Sequence, residues 1–87
     1  MLTVLHEGPY RFFFWSNEFY SADRTEPPHI HVESERGRTL AKFWLEEPIW
    51  CAKNRGFAAH ELTRIQSLVQ QHRTELLRAW DAYFRRQ

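Results

Sequence analysis

The spacing of hydrophobic and polar positions changes period about two-thirds of the way along the chain. Up to Trp50, apolar residues alternate with polar ones or form short runs bounded by turn residues, the pattern of strands. Beyond Gly56 they recur at three- and four-residue steps, the pattern of a helix. Leu2–Glu7 and residues 10–16 read as two strands joined at Gly8-Pro9, a hairpin. His29–Ser34 reads as a third strand, and residues 38–45 as its hairpin partner across a turn at 35–37. Residues 17–28 form a polar loop ending in Pro27-Pro28, which forces an extended approach to the third strand. Pro48 ends the fourth strand, and residues 49–51 read as a short edge segment. From Ala58 onward there is no Pro or Gly, and Leu62, Ile65, Val69, His72, Leu76, Trp80 and Tyr83/Phe84 share one helix face. Unbroken, a helix over 59–86 would span about 42 Å, twice the roughly 20 Å of a strand here. A break at 72–74 is therefore expected, with Thr74 capping a second helix. The predicted class is α+β, in a single domain over 1–87. A small antiparallel sheet of about four strands in two hairpins (1–51) precedes a C-terminal helix broken in two (57–87).

Alternation assigns the two faces of that sheet. Phe12, Phe14, Ile30, Val32, Ala41, Phe43 and Leu45 fall on one side, under the helix. Arg11, Phe13, Trp15, His29, His31, Lys42 and Trp44 fall on the other. This second face mixes cations, two imidazoles and three rings. Rings can stack on bases and cations can meet phosphates, which suits single-stranded nucleic acid. The same residues also suit a packed interface, in which the rings lie under the C-terminal helical segment or against a second copy of the chain.

Composition narrows the classes. The chain has 87 residues, 43% hydrophobic and 26% charged, which is globular rather than disordered. Twelve Lys and Arg against eleven Asp and Glu leave a formal charge of +1, so any electrostatic footprint must come from local clustering. Aromatic residues make up 16%, enough for a short chain to bury much area per residue. The single Cys51 excludes an intramolecular disulfide framework and fits a reducing compartment. No apolar run reaches the roughly 18 residues of a membrane span. The first residues lack the basic and apolar regions of a signal peptide. A cytoplasmic location without membrane partners is expected.

Pro27-Pro28-His29-Ile30-His31-Val32 is the one constellation with chemical content. Residues i and i+2 of a strand share a face, with side chains about 7 Å apart. Two imidazoles at that spacing can bracket a phosphate, one taking a proton from a nucleophile and the other returning one to the leaving group. Cleavage of RNA through its own 2′-hydroxyl needs such a pair plus a cation, for which Lys42 and Arg11 are candidates. Trp15 and Trp44 complete the substrate-binding set. The pair could also be half of a metal site, but zinc wants a third and usually a fourth ligand. Glu33 shares the face yet lies about 13 Å from His29 along an extended strand, and no spacing brings in His6, His60 or His72. A third reading makes both histidines structural. Cys51 has no ligand-like neighbour in sequence and reads as a small buried residue. Lys53-Asn54-Arg55-Gly56 reads as a basic turn, with Asn54 and Gly56 suited to left-handed positions; Lys53 and Arg55 there are either solvated or in reach of a phosphate. Arg85-Arg86 reads as a helix end. There is no phosphate-binding glycine loop, Ser-His-Asp arrangement or paired Cys motif, so no cofactor is implied.

Several of these segments together resemble a small bacterial family, domain of unknown function 4160. They are residues 8–18 (GPYRFFFWSNE), 26–32 (EPPHIHV), 41–45 (AKFWL) and 54–57 (NRGF), with the Leu62, Ile65, Leu76-Leu77, Trp80 and Tyr83-Phe84 tail. The resemblance covers nearly the whole chain, and Pro-Pro-His-Ile-His-Val is its most specific part. It implies a type II toxin–antitoxin toxin, paired with a protein of domain of unknown function 2442. His29 and His31 would be its dyad, with RNA or the ribosome as target and translation as the process affected. The connection before Glu26 is longer than the family's, so residues 19–25 resemble an insertion.

Overall fold

Each strand of the sheet pairs with its neighbour in sequence, so the chain lays down an antiparallel meander in the order β1-β2-β3-β4-β5. The computed structural model describes residues 2–15, 27–34 and 38–84. The strands are β1 (Leu2–Glu7), β2 (Tyr10–Phe14), β3 (His29–Ser34), β4 (Leu40–Trp44) and β5 (Cys51–Arg55). They are followed by helices α1 (Ala59–Gln71) and α2 (Arg73–Phe84). The class is α+β, as the alternation implies, with five strands rather than about four. No helix among the described residues is long and apolar enough to cross a membrane. The expected turn at 35–37, the insertion at 19–25 and Arg85-Arg86 lie outside the described residues.

Local rules account for most of the strand ends. Gly8 takes φ +56°, which lets Glu7 pair with Tyr10 across a two-residue turn. An irregularity between Thr3 and Leu5 leaves Val4 as an extra residue on β1. Without it, neighbours Val4 and Leu5 would point to opposite faces; with it, both pack against the core.

β5 departs from expectation. The basic segment read as a turn is strand as far as Arg55, because pairing with β4 overrides the poor strand propensity of Lys and Asn. The turn comes one residue later, at Gly56 with φ +96°. Asn54 braces it without a left-handed backbone: its Nδ2 donates to the Phe57 carbonyl at 3.0 Å, and its Oδ1 accepts from the Phe57 N–H at 3.1 Å. A Cβ on Gly56 would lie 2.9 Å from Thr39 Cγ2, whereas one on Gly8 would meet nothing within 4 Å. Gly56→Ala is therefore expected to destabilise the protein by more than about 1 kcal/mol, and by more than Gly8→Ala. Chemical denaturation of the two variants checks the ranking, and equal midpoints would refute it.

The helical half breaks where length demanded it, but Thr74 is not the cap. Thr74 lies within the first turn of α2, and His72 occupies the junction with φ −102° and ψ 14°. Its Nδ1 lies 3.2 Å from Glu75, and its buried Nε2 lies 3.3 Å from Glu7 at the end of β1 without making a hydrogen bond. At the start of α1, Ala58 has no capping oxygen. Glu61 instead reaches back to the Ala58 N–H at 3.4 Å.

Both helices cover the same face of the sheet. All seven residues assigned to that face, Phe12, Phe14, Ile30, Val32, Ala41, Phe43 and Leu45, are buried there with Tyr10, Ile49, Phe57, Ile65, Val69 and Leu76. Leu62, Leu77, Trp80 and Phe84 pack against this core from the helices.

Candidate functional site

The opposite face is organised by register, since directly opposed residues of antiparallel strands point the same way. One cross-strand row runs Phe13, His31, Lys42, Lys53 over β2 to β5. The next runs from His29 to Trp44, and the Trp44 N–H donates to the Trp50 carbonyl at 3.1 Å, which carries the row on to Trp50. Six of the seven residues assigned to this face are placed in or beside these rows, and Arg11 lies one step along.

The two prolines set the dyad. Proline has no N–H, and its fixed φ leaves the carbonyls as the groups available for bonding. Pro28 O accepts from Leu45 N–H at 2.9 Å, which pins the end of β4. Pro27 O lies 3.0 Å from His29 Nδ1. A carbonyl only accepts, so Nδ1 carries the proton and Nε2 is the nitrogen of neutral His29 that can accept one. The His29 ring is 2% exposed and lies 4.9 Å from Trp80 of α2, 6.1 Å from Trp44 and 5.3 Å from His31. The α2 helix thus reaches one end of this face, at His29.

His31 is placed differently. It stacks on Phe13 at 5.6 Å, with the edge of Trp15 at 5.9 Å, and it lines an open groove of about 610 Å³. Trp15, Leu40, Lys42, Lys53 and Arg55 line the same groove. The dyad is therefore layered, with His31 at the groove and His29 behind it, their rings nearly perpendicular at 87°. Their separation is shorter than the spacing of the pleat because the rings lean together.

The cations divide as well. Arg11 Nε donates to Glu33 at 2.9 Å, a second guanidinium nitrogen contacts the same carboxylate, and a third donates to Thr3 at 3.1 Å. Its Cζ lies 4.8 Å over the Phe13 ring. Arg11 and Glu33 are thereby occupied in an internal pair. Lys42 lies at the groove, with its Nζ 4.8 Å from the Trp44 ring centre. Lys53 and Arg55 join it, although the sequence reading left them in a turn. The bulge between Lys42 and Phe43 makes Ala52 the extra residue and shifts the alternation of β5 by one, so period-two counting does not find them.

The remaining nucleophile and ligand candidates stand apart. The Cys51 Sγ donates to the Lys53 carbonyl at 3.0 Å, and burial pushes its thiol pKa upward, so it is protonated at neutral pH. His6 and His60 are exposed on β1 and α1, and His72 is engaged at the helix junction. Among the described residues, no three His, Cys, Asp or Glu side chains come together as a metal-ligand set.

A family model described as Domain of unknown function (DUF4160) matches residues 10–81. No curated protein and no solved structure matches the chain.

Proposed function

Starting from a chain that belongs to the DUF4160 family, we propose that it is a type II toxin that acts on RNA, with the groove beside His31 as its phosphodiester site. One observation carries the reading: His31 is the cross-strand partner of Lys42, which is the partner of Lys53, so an imidazole and two ammonium groups share one row. Lys42 and Lys53 would hold a phosphate, and Arg55 would extend the positive field along the strand. The proposed reaction is attack by the RNA's own 2′-hydroxyl. His31 takes the hydroxyl proton, the 2′-oxygen bonds to the adjacent phosphorus, and the bond from phosphorus to the 5′-oxygen breaks. The proton returns from His31 to the departing 5′-oxygen. The products are a cyclic 2′,3′-phosphate and a free 5′-hydroxyl. His29 is a positioning residue in this scheme, fixed by the Pro27 carbonyl and packed behind His31. The neutralising partner would be the antitoxin of domain of unknown function 2442, and the place of action the cytoplasm.

Incubating the purified chain with single-stranded RNA tests the reading. The expected result is cleavage to those product ends, with loss of cleavage in Lys42→Ala. Intact RNA together with undisturbed translation would reject it. Binding should also weaken with salt, with a log–log slope near −2 for three cations on a single strand, and Arg55→Ala should flatten that slope by about 0.7. A slope near zero would remove the phosphate contact from the proposal.

A further inference from the structure

Trp50 has no role in the core and none in the scheme above. It is 54% exposed, so its ring face is open to a partner. Its position on the edge strand's flank of Trp44 is fixed by the backbone bond from Trp44 N to Trp50 O, and the two rings lie 6.4 Å apart at 57°. Trp44 in turn carries the Lys42 ammonium over its face. Lys42 and Trp44 are two residues apart on β4, about 7 Å along the strand. The row Trp44–Trp50 thus runs beside the row His31–Lys42–Lys53 at a distance that a single nucleotide spans.

We infer that Trp50 is a base-stacking residue, and that the groove's substrate is single-stranded RNA with a base on Trp50 while its phosphate meets Lys42. This rests on the phosphodiester reading of the groove and names its substrate class. The surrounding charge selects the occupant. Lys42, Lys53 and Arg55 line one groove, and Trp44, which carries the Lys42 ammonium, links that groove to the exposed ring. An apolar protein surface docked on Trp50 would offer these cations no negative group. A nucleotide offers a π face to the indole and a negative group to the ammonium. A duplex does not, because its bases are stacked and paired inside the helix.

The test is binding of a fluorescein-labelled 2′-O-methyl oligouridylate, which lacks the attacking hydroxyl and stays intact, measured by anisotropy. Trp50→Ala is expected to weaken binding about tenfold, and Trp50→Phe to keep most of it. The same oligonucleotide annealed to its complement should bind more weakly and be indifferent to Trp50→Ala. If Trp50→Ala binds as wild type while Lys42→Ala does not, the stacking role falls and the phosphate site stands. If neither variant changes binding, both fall. If duplex and single strand bind alike, single-strand selection is refuted. If Trp50→Ala leaves RNA binding unchanged but turns a self-associating chain monomeric in sedimentation, the ring covers a second copy of this chain instead. Trp50 is exposed, so the variant should fold, and its denaturation midpoint verifies that.

Discussion

His31→Ala should lower RNA cleavage by about 10²- to 10⁴-fold, the usual contribution of a positioned general base. In cells, induced expression of wild type should arrest growth and protein synthesis, and expression of the variant should not. The residue is 8% exposed and stacked on Phe13, so alanine also opens space in a packed layer. His31→Gln is the companion variant, since it keeps polarity and most of the volume but cannot exchange a proton near neutral pH. The expected pair of results is a stable, inactive glutamine variant and an inactive alanine variant. A glutamine variant with wild-type cleavage would overturn the general-base role, whatever happens to alanine. His29→Ala separates positioning from proton transfer. Because His29 lies behind His31, its loss should reduce cleavage less and alter the pH profile rather than abolish the reaction.

On stability, the largest effect is expected from Phe12→Ala, at about 3–5 kcal/mol. Phe12 is fully buried at the centre of β2, between β1 and β3 and beneath the helices. A domain of this size has about 5–15 kcal/mol in total, so the variant should sit near the edge of folding. Its melting temperature should fall by more than about 12 °C, at roughly 4 °C or more per kcal/mol. Trp50→Ala is the control and should change stability by no more than about 0.5 kcal/mol. A loss below 1 kcal/mol for Phe12→Ala would mean that the sheet and helices are not packed through this face. Phe13→Ala is informative beside it, because Phe13 is equally buried but lies on the histidine face, with Trp15 at 5.0 Å and His31 at 5.6 Å. Its alanine variant removes the ring on which His31 stacks and should impair cleavage as well as stability.

What could be read from residues alone was local and periodic. Turn residues at Gly8-Pro9 and Gly56, and the change from period two to period three-to-four, determined the first hairpin and where the helical half begins. Strand alternation determined the two faces, and placed Phe12, Ile30 and Phe43 in the core and His29 and His31 together on the other side. Helix length against strand length determined that a break was needed. The remainder is non-local. A bulge at Ala52 changes which β5 residues face the groove, and only pairing with β4 reveals it. Arg11 and Lys42 look equivalent as cations in the sequence. Register places Glu33 opposite Arg11 and leaves Lys42 between His31 and Lys53. The layering of the dyad depends on Trp80, fifty-one residues after His29, reaching the edge of the sheet because the helix breaks at His72. Periodicity records the direction of a side chain; its neighbours across the sheet and its depth follow from how the strands and helices pack.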